Sequence, residues 1–358
     1  MRVKLSDVTK YLKGTQINGD DLIENGEYIY LNGGINPSGR WNAANVKGNT
    51  VTISEGGNSS GYVNYVTEPF WCGAHCYYLF DGPKNTKYLY YALKSQQERL
   101  FDIRSGACMP NIKKSDLGKF EFEFDTDEQK QSKIVSVLSK IEVVIGERKR
   151  ELELLDDLIR ARFVEMFGDP VVNEKGWLTK PLLDMGQCKN GMNFHYDDEG
   201  VEINCLGVGD FKDLSIIDNT DKLPIVSLNE MPSEEYLLKD DDIVFVRSNG
   251  NKALVGRSIA VYPGDVPTTF SGFCIRYRKH DNEITVPYLL RVLKADSMRG
   301  KMTGRGANIQ NLNQQILGTL VIPVPPMELQ EQFADFVKQV DKSKVAAINT
   351  RHYSVKIY

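Results

Sequence analysis

The sequence predicts an α+β protein, in which two globular mixed α/β domains repeat each other and are joined by long helices. Three observations indicate this fold. One segment recurs two hundred residues later, strand-like stretches separated by Gly, Asn and Ser turns fill both halves, and a heptad pattern of apolar residues lies between them. The length of 358 residues also suits two domains of about 100 to 200 residues each.

The internal repeat relates residues 88 to 118 to residues 288 to 318. The positions that are identical in both copies are Tyr88, Leu89, Leu93, Lys94, Gly106, Ala107, Asn111 and Gly118, which return as Tyr288, Leu289, Leu293, Lys294, Gly306, Ala307, Asn311 and Gly318. Two copies of one module indicate a pseudo-two-fold arrangement and two copies of one task.

Residues 1 to 125 are predicted to form the first domain. Strands are expected at Tyr28 to Leu31, Thr50 to Ile53 and Tyr62 to Val66, and one helix near Thr86 to Leu100. This mixture is typical of a mixed α/β recognition domain rather than a doubly wound sheet.

Residues 126 to 169 are predicted to be a helical spacer. Thr126, followed three places on by Gln129, matches a capping box at the start of a helix. An apolar seam then steps alternately by four and three residues with one polar break, through Ile134, Leu138, Ile141, Ile145, Arg148, Leu152, Leu155 and Ile159. Such spacing is typical of a coiled coil, and residues 168 to 170, Gly-Asp-Pro, should end the helix.

Residues 170 to 325 are predicted to form the second domain and residues 326 to 358 a C-terminal helix. The strands expected in the second domain are Ile203 to Leu206, Ile243 to Val246, Ser258 to Val261 and Phe273 to Tyr277. The helix repeats the seam through Phe333, Val337, Val340, Lys344 and Ala347. Arg351 and Ser354 then replace the expected apolar residues, which predicts a helix that is shortened or altered at its end. We therefore expect Leu152, Leu155 and Ile159 to lack a full-length partner within the chain.

The net charge of -4 conceals two basic stretches. From Arg247 to Arg305 there are eleven Lys or Arg against four acids, a net of +7, and from Lys84 to Lys119 eight against three, a net of +5. Both stretches overlap the repeat, which fits a polyanion bound at two equivalent places, although a solvated basic face would give the same count.

The composition indicates a globular protein of a reducing compartment. No window holds eighteen consecutive apolar residues and the first ten residues do not resemble a signal peptide, so we expect a cytoplasmic location. Six scattered cysteines do not form a disulfide framework. Cys72, His75 and Cys76 could form half of a metal site, but no second cluster completes it, and reduced core thiols are expected instead.

No motif of the sequence predicts a reaction centre. The spelling Gly-Asn-Ser-Ser-Gly at 57 to 61 matches a nucleophile elbow but is followed by a strand pattern instead of a helix. Gly207 and Gly209 begin like a dinucleotide loop that lacks its third glycine. A Walker loop, a zinc-protease motif and the Asn-Pro-Pro-aromatic signature of adenine methyltransferases are also missing, so we expect no catalytic, metal-binding or cofactor-binding residue.

Three stretches make the chain resemble the DNA sequence-specificity subunit of a type I restriction-modification system. They are Gly106–Ile112 with Asp116–Gly118, its twin Gly306–Gly318, and Leu154–Ile159 with Arg162–Pro170. The resemblance implies two target-recognition domains, each reading one half of a split DNA site, joined by conserved helices that pair as an antiparallel coiled coil. It also implies a non-catalytic subunit that docks two methyltransferase subunits and, in some complexes, a motor-nuclease subunit. S-adenosylmethionine and ATP would then bind to those partners.

On this interpretation the helical spacer fixes the separation of the two half-sites. Thirty helical residues span roughly 45 Å, somewhat more than one turn of DNA at about 34 Å. A different spacing would rotate one half-site around the duplex as well as move it along, so it would be rejected.

Polar and basic residues of the loops are the candidates for DNA contact, because Lys and Arg reach phosphates and Arg, Asn, Gln and Ser meet base edges. In the first domain they are Arg40, Trp41, Asn42, Asn58, Ser59, Arg104, Asn111, Lys113 and Lys114. In the second they are Arg247, Asn249, Asn251, Lys252, Arg257, Arg299, Lys301, Arg305, Asn308, Gln310 and Asn311. Each also has a structural alternative, since Asn is common in turns and helix caps and Trp41 suits the edge of a core.

A second function from a different class remains open. A duplicated domain on a helical connector could serve as a protein-interaction scaffold that does not bind DNA. The basic stretches favour the first interpretation.

Overall fold

The structure is a computed structural model that describes residues 1–106, 109–194, 199–211, 215–280, 282–303 and 311–355. It divides into two compact units. Unit 1 consists of Met1–Glu147 with the end of the chain from Arg351, and unit 2 of Arg148–Thr350. The division falls inside one long helix, so each unit contains part of it.

Unit 1 contains a four-stranded sheet, a three-stranded sheet and a two-stranded ribbon. Its strands are β1 (Arg2–Lys4), β2 (Lys10–Lys13), β3 (Tyr28–Leu31), β4 (Gly39–Trp41), β5 (Thr50–Ser54), β6 (Val63–Val66), β7 (Trp71–Cys72), β8 (Cys76–Phe80) and β9 (Glu121–Glu123). The order is β2-β8-β5-β6 in the larger sheet, β4-β3-β7 in the smaller one and β1-β9 in the ribbon.

Unit 2 repeats these three parts and adds one edge strand. Its strands are β10 (Thr179–Pro181), β11 (Gly186–Asn190), β12 (Val201–Leu206), β13 (Ile216–Ile217), β14 (Ile225–Leu228), β15 (Asp242–Val246), β16 (Ser258–Val261), β17 (Thr268–Phe270), β18 (Cys274–Lys279) and β19 (Val321–Pro323). The orders are β11-β18-β15-β16-β13, β14-β12-β17 and β10-β19. In the large sheet, β11-β18-β15-β16 correspond to β2-β8-β5-β6 of unit 1, and β13 is the added edge strand. The small sheet and the ribbon correspond strand for strand to those of unit 1.

The α-helices complete each unit. They are α1 (Leu5–Val8), α2 (Thr86–Lys94), α3 (Gln97–Asp102), α4 (Lys114–Lys119), α5 (Glu128–Phe167), α6 (Val286–Lys294), α7 (Asp296–Thr303), α8 (Gln314–Gly318) and α9 (Met327–Val355). Short 3-10 turns lie at Gly19–Asp21, Leu182–Asp184, Val208–Asp210, Thr220–Lys222, Glu234–Tyr236 and Lys252–Leu254. None of the helices within the described residues is long and apolar enough to cross a membrane.

The sequence-based strands are found within one or two residues of their expected bounds, but the single helix expected near 86 to 100 is two helices. The chain leaves the helical conformation at Gln96, where φ is -108° and ψ is 22°. Gln97 then bonds across to the sheet, because its amide donates to the Gly61 carbonyl at 2.7 Å and accepts from the Val63 N–H at 3.0 Å. These tertiary hydrogen bonds tie the start of the second helix to Gly61 and to Val63, the first residue of β6.

The long helix α5 begins one residue later than the capping-box pattern predicts, so the assignment of Thr126 as the cap was wrong. Asp127 caps the helix, because one carboxylate oxygen accepts from the N–H groups of Gln129 at 2.9 Å and Lys130 at 3.2 Å. An aspartate at this place satisfies two free donors and also suits the positive end of the helix dipole.

In unit 2 the second half of α5 packs antiparallel to α9. Phe163 and Phe167 each lie 5.6 Å from the ring of Phe333, whereas the Lys344 ammonium lies 2.6 Å from Asp156. Residue numbers thus fall along one helix as they rise along the other. This is the antiparallel helix pairing that the family resemblance implies.

For Leu155 and Ile159, this pairing corrects the expectation that the seam would lack a partner within the chain. Ile159 is buried in one cluster with Phe333 and Val340, and Leu155 packs against that cluster. Lys344, the polar residue of the seam, forms an ion pair with Asp156 of α5. The heptad pattern does not reveal this contact. Leu152 is half-buried.

Candidate nucleic-acid interface

In unit 1 the loop between β5 and β6, residues 55 to 62, joins the segment that precedes α4. The Glu55 carbonyl accepts the Ile112 N–H at 2.9 Å, and the Gly57 N–H donates to the Pro110 carbonyl at 2.9 Å. The Glu55 N–H donates to the His75 carbonyl at 2.8 Å at the start of β8. We call this meeting of three segments the loop junction of unit 1.

In unit 2 the loop between β15 and β16, residues 247 to 257, makes the same connections. The Arg247 carbonyl accepts the Leu312 N–H at 2.8 Å, and the Arg247 N–H donates to the Phe273 carbonyl at 2.8 Å. Gly256 has a positive φ of 77°, as Gly61 has a φ of 86° at the matching place in unit 1. This loop junction of unit 2 therefore has the same backbone pairing as the first, with a longer loop.

The first candidates of unit 1 lie on the hairpin of β3 and β4. Arg40 is exposed, but its guanidinium donates to the carbonyl of Gly26 at 2.5 Å and that of Glu27 at 2.8 Å. The Trp41 ring lies 6.4 Å from Trp71 in an edge-on arrangement, and the Asn42 amide oxygen accepts the Glu27 N–H at 3.3 Å. These contacts hold the hairpin, and the loop junction is a separate cluster of segments.

The other candidates of unit 1 surround its loop junction. Asn58 is exposed at the loop tip, and the Ser59 hydroxyl donates to the Gly33 carbonyl at 2.6 Å. The Asn111 side chain accepts a hydrogen bond of 3.2 Å from Ser105 instead of capping α4. Lys113 and Lys114 are exposed at the start of α4.

Arg104, the remaining candidate of unit 1, is exposed just before the Ser105 bridge. Its guanidinium donates to the Phe101 carbonyl at 2.6 Å and lies 4.7 Å from the Phe101 ring. It therefore fixes the turn after α3.

In unit 2 five candidates lie on the loop from 247 to 257. The side chain of Arg247 donates to the Gly272 carbonyl at 3.2 Å, and that of Arg257 to the Phe211 carbonyl at 3.3 Å. Asn249 and Asn251 accept backbone N–H groups two residues on, at 2.8 and 3.1 Å, so both shape the loop, and Lys252 is exposed.

The last candidates lie on α7 and the segment before α8. Arg299 points inward and donates to the carbonyls of Ala253 at 3.2 Å and Val255 at 2.8 Å, and burial lowers the pKa of its guanidinium. Lys301 is exposed, and Asn311 is exposed and forms a backbone bridge with Ser248. Arg305, Asn308 and Gln310 lie outside the described residues. The cap of α8 is Asn313, whose side chain accepts the Ile316 N–H at 2.8 Å.

The charge count of the second basic stretch overstates the charge on the surface of unit 2. Arg276 is 2% exposed, and Arg278 forms a two-pronged pair with the fully buried Asp242, with both distances 2.7 Å. Burial lowers the pKa of Arg291 and lowers that of Lys294 to about 8. Five of the eleven basic residues counted in the sequence, Arg299 among them, thus lie wholly or partly inside unit 2.

Glu55 and Lys13 at the loop junction of unit 1 were not predicted from the sequence, and His75 was considered there only as part of a metal half-site. Glu55, whose side chain is 17% exposed, contacts the Lys13 ammonium at 2.6 Å and His75 Nδ1 at 3.1 Å. Burial opposes ionisation of the Glu55 carboxyl, but its hydrogen bonds with Lys13 and His75 outweigh this and lower its pKa. No local pattern marks them, because they come from β2, the end of β5 and the start of β8.

The cysteine cluster does not assemble a metal site within the described residues. The Cys72 thiol donates to the Cys76 carbonyl at 3.3 Å, and both thiols are buried. His75 turns instead towards Glu55. Elsewhere in the described part of the chain, no three His, Cys, Asp or Glu side chains are grouped to hold a metal ion.

Comparison with known proteins gives the same duplicated pattern. The model of the type I restriction modification DNA specificity domain matches twice, at residues 1–154 and 174–356. A Mycoplasma genitalium protein named as a type I specificity subunit is 36% identical over 151 residues, which are 41% of this chain and 38% of that protein. The specificity subunit of a type I restriction enzyme from Salmonella potsdam is 32% identical over 177 residues, 46% of this chain and 36% of its own length. Each match thus spans well under half of the relative.

A solved structure extends the likeness over the whole chain. The S subunit of a type I restriction-modification system from M. genitalium has a TM-score of 0.60 at 22% identity, and the match covers 100% of this chain and 93% of that one. At this identity the likeness shows the fold. With both halves of the sequence matched by the family model, the chain belongs to the type I restriction modification DNA specificity domain family.

Proposed function

We propose that this chain is the non-catalytic subunit that selects the DNA site for a type I restriction-modification complex. Each unit binds one half of a split site on double-stranded DNA. Partner subunits then methylate adenine within the site and, where a motor-nuclease subunit is present, cleave DNA.

The duplicated loop junction is the observation that carries this proposal. Both junctions join a loop of the large sheet to the segment before a short helix, and both gather candidate contact residues from distant parts of the chain. The loops differ in length and residues while the backbone pairing is the same. One scaffold with two different loops suits the recognition of two different half-sites.

The long helix supports the proposed docking of two methyltransferase subunits. Its first half leaves Ile134, Val137, Val143 and Val144 between 37% and 59% exposed. Ile134, Val137 and Val144 lie on one side of the helix, and apolar side chains exposed together in this way are typical of a surface that another protein covers. S-adenosylmethionine and ATP bind to the partner subunits in this proposal, and the complex acts in the cytoplasm.

The proposal is tested by mapping methylated adenines across the host genome with and without this gene. We expect a split motif with a fixed gap to lose methylation on deletion and to regain it when the gene is restored. A reporter that carries the motif with its gap changed by one base pair should remain unmethylated, because that change also rotates one half-site around the duplex.

Two results would contradict the proposal. Unchanged methylation after deletion, with no duplex bound by the chain and its partners at any salt concentration, would favour a scaffold that does not bind DNA. Methyl transfer by the purified chain alone would show that it is itself an enzyme.

A further inference from the structure

We infer that one equivalent position in the two loop junctions reads opposite bases of the DNA. Glu55 occupies this position in unit 1 and accepts a hydrogen bond from cytosine. Arg247 occupies it in unit 2 and donates to guanine. This inference rests on the proposed function and names the residues that set base preference.

The equivalence of Glu55 and Arg247 follows from backbone hydrogen bonds. Each carbonyl accepts from the residue two places before a short helix, Ile112 or Leu312, and each N–H donates to the residue before an inner strand, His75 or Phe273. The residue after each forms a backbone bridge to the repeated asparagine, Asn111 or Asn311. The position is therefore the same by pairing, although the two residues stand 192 places apart in the chain.

The side chains around the position change from Lys13 and His75 in unit 1 to neutral residues in unit 2. The Glu55 carboxylate lies between Lys13, 41% exposed, and His75, 60% exposed. In the strand pairing of unit 2, Asn190 takes the place of Lys13, since it pairs with Ile275 as Lys13 pairs with Tyr77. Phe273, 61% exposed, takes the place of His75.

A carboxylate beside DNA is unfavourable unless its charge is balanced and its oxygens meet donors. The Lys13 ammonium supplies the balance, and Lys13 and His75 each take one of the roughly four lone-pair positions of the carboxylate. The remaining positions only accept, which suits the amino group of cytosine in the major groove. Glu55 thereby rejects a base that presents only acceptors.

Arg247 offers the opposite chemistry. One guanidinium nitrogen donates to the Gly272 carbonyl at 3.2 Å, which orients the group on the loop. A guanidinium presents five N–H donors in a planar fork and pairs with the two acceptors of guanine. The two units thus share a position and differ in the base that it selects.

The test uses the chain in complex with its methyltransferase partner and duplexes in which each base pair of the methylated motif is changed singly. Glu55→Gln keeps the size of the side chain but adds donors, and Arg247→Gln replaces the fork by an amide. We expect each variant to lose about tenfold or more of its discrimination at one base pair, in one half-site only, and not in the half-site of the other unit.

Matched controls come from the opposite ends of the same strands. Asp81→Asn removes a carboxylate that pairs with Lys10 at 2.9 Å, at the other end of β2 and β8. Lys239→Gln removes a 55% exposed cation just before β15, far along the strand from Arg247. Both controls should bind with the base preferences of the unsubstituted chain.

The outcomes separate this inference from the proposed function. If the unsubstituted complex binds the motif and both Gln variants keep every base preference, the inference is wrong and the function stands. If a variant bound all duplexes more weakly but with an unchanged base preference, the position would only hold the loop, and the inference would also be wrong. Should Glu55→Gln fail to fold by circular dichroism, the Arg247→Gln series decides the matter in unit 2.

Discussion

The large sheets of the two units have the same strand pairing but different side chains at equivalent positions. In unit 2, Arg276 and Arg278 follow one another on one face of β18, and the fully buried Asp242 at the start of β15 pairs with Arg278. The register places Tyr78 and Phe80 of unit 1 at the same positions, where their rings pack 5.6 Å apart, and Thr50 in place of Asp242. The strand pairing is therefore the same in both sheets, whereas the equivalent side chains form an ion pair in unit 2 and an aromatic pair in unit 1.

The two halves of the long helix differ in a second way. Tyr91 in unit 1 donates to Glu142 of α5 at 2.8 Å, and Lys87 lies 3.1 Å from the same carboxylate. In unit 2 the corresponding contact is an aromatic core in which Phe163 and Phe167 meet Tyr288 and Phe333. The helix is thus attached by polar groups at one end and by buried apolar area at the other.

The largest effect should come from the aromatic core of unit 2. Phe163→Ala removes a ring that is 2% exposed and lies within 5.7 Å of three other rings, so we expect a loss of about 4 kcal/mol of unfolding free energy. Urea denaturation followed by circular dichroism measures it. Val143→Ala, at a residue 59% exposed on the first half of the same helix, should change stability by less than about 0.5 kcal/mol. Equal losses for the two variants would show that both halves are packed alike.

A smaller loss should follow from breaking the ion pair of the unit 2 sheet. Asp242→Ala leaves the guanidinium of Arg278, with that of the buried Arg276 beside it, without the carboxylate, and should cost about 3 kcal/mol. Thr50→Ala, at the matching position in unit 1, removes one hydroxyl hydrogen bond of 2.8 Å and should cost about 1 kcal/mol. If the two variants lost the same free energy of unfolding, the Asp242 ion pair would contribute no more to stability than the Thr50 hydrogen bond.

The third effect concerns pH, because both copies of the repeat bury the same lysine. Burial lowers the pKa of Lys94 and of Lys294 to about 8, from an ordinary value of 10.5. Between pH 8 and 10.5 the unfolded chain therefore binds more protons than the folded chain, so these lysines make stability rise as the pH rises through that window.

This rise is measured as a difference between variants, because tyrosines and cysteines with raised pKa values act in the opposite direction. The double variant Lys94→Met, Lys294→Met should lose the rise, and each single variant about half of it. Lys84→Met, whose side chain is 89% exposed, should keep the dependence of the unsubstituted chain. If the stability of the double variant kept the same pH dependence, burial would not lower the pKa of Lys94 and Lys294 as described.

Sequence patterns were informative wherever the interaction is local or repeated. The strand patterns at Ser258–Val261 and Tyr28–Leu31 predicted strands with their bounds, and the heptad steps predicted a helix that spans Glu128–Phe167. The end of that helix was also predictable, because Gly168 takes a positive φ of 77° that favours glycine.

Patterns failed where a contact joins distant residues. Thr126 and Asp127 are equally good caps by type, and only the helix geometry selects the aspartate. The helix break at Gln96 is accompanied by a hydrogen bond from Gln97 to the Gly61 carbonyl. The pairing of α9 with α5 includes the ion pair of Lys344 with Asp156. The candidate arginines likewise could not be sorted from sequence into those exposed to solvent and those, such as Arg299, that bind the carbonyls of a neighbouring loop.

What the sequence determined by itself is the duplication, seven of the strands, the long central helix and the family, because repeated residues and periodic apolar patterns can be recognised along the chain. The tertiary structure alone decided that Lys13, Glu55 and His75 meet at one loop junction and that Arg247 holds the equivalent place in the other unit. Strand pairing brings residues together across tens of positions, and their charges interact only after that pairing has formed.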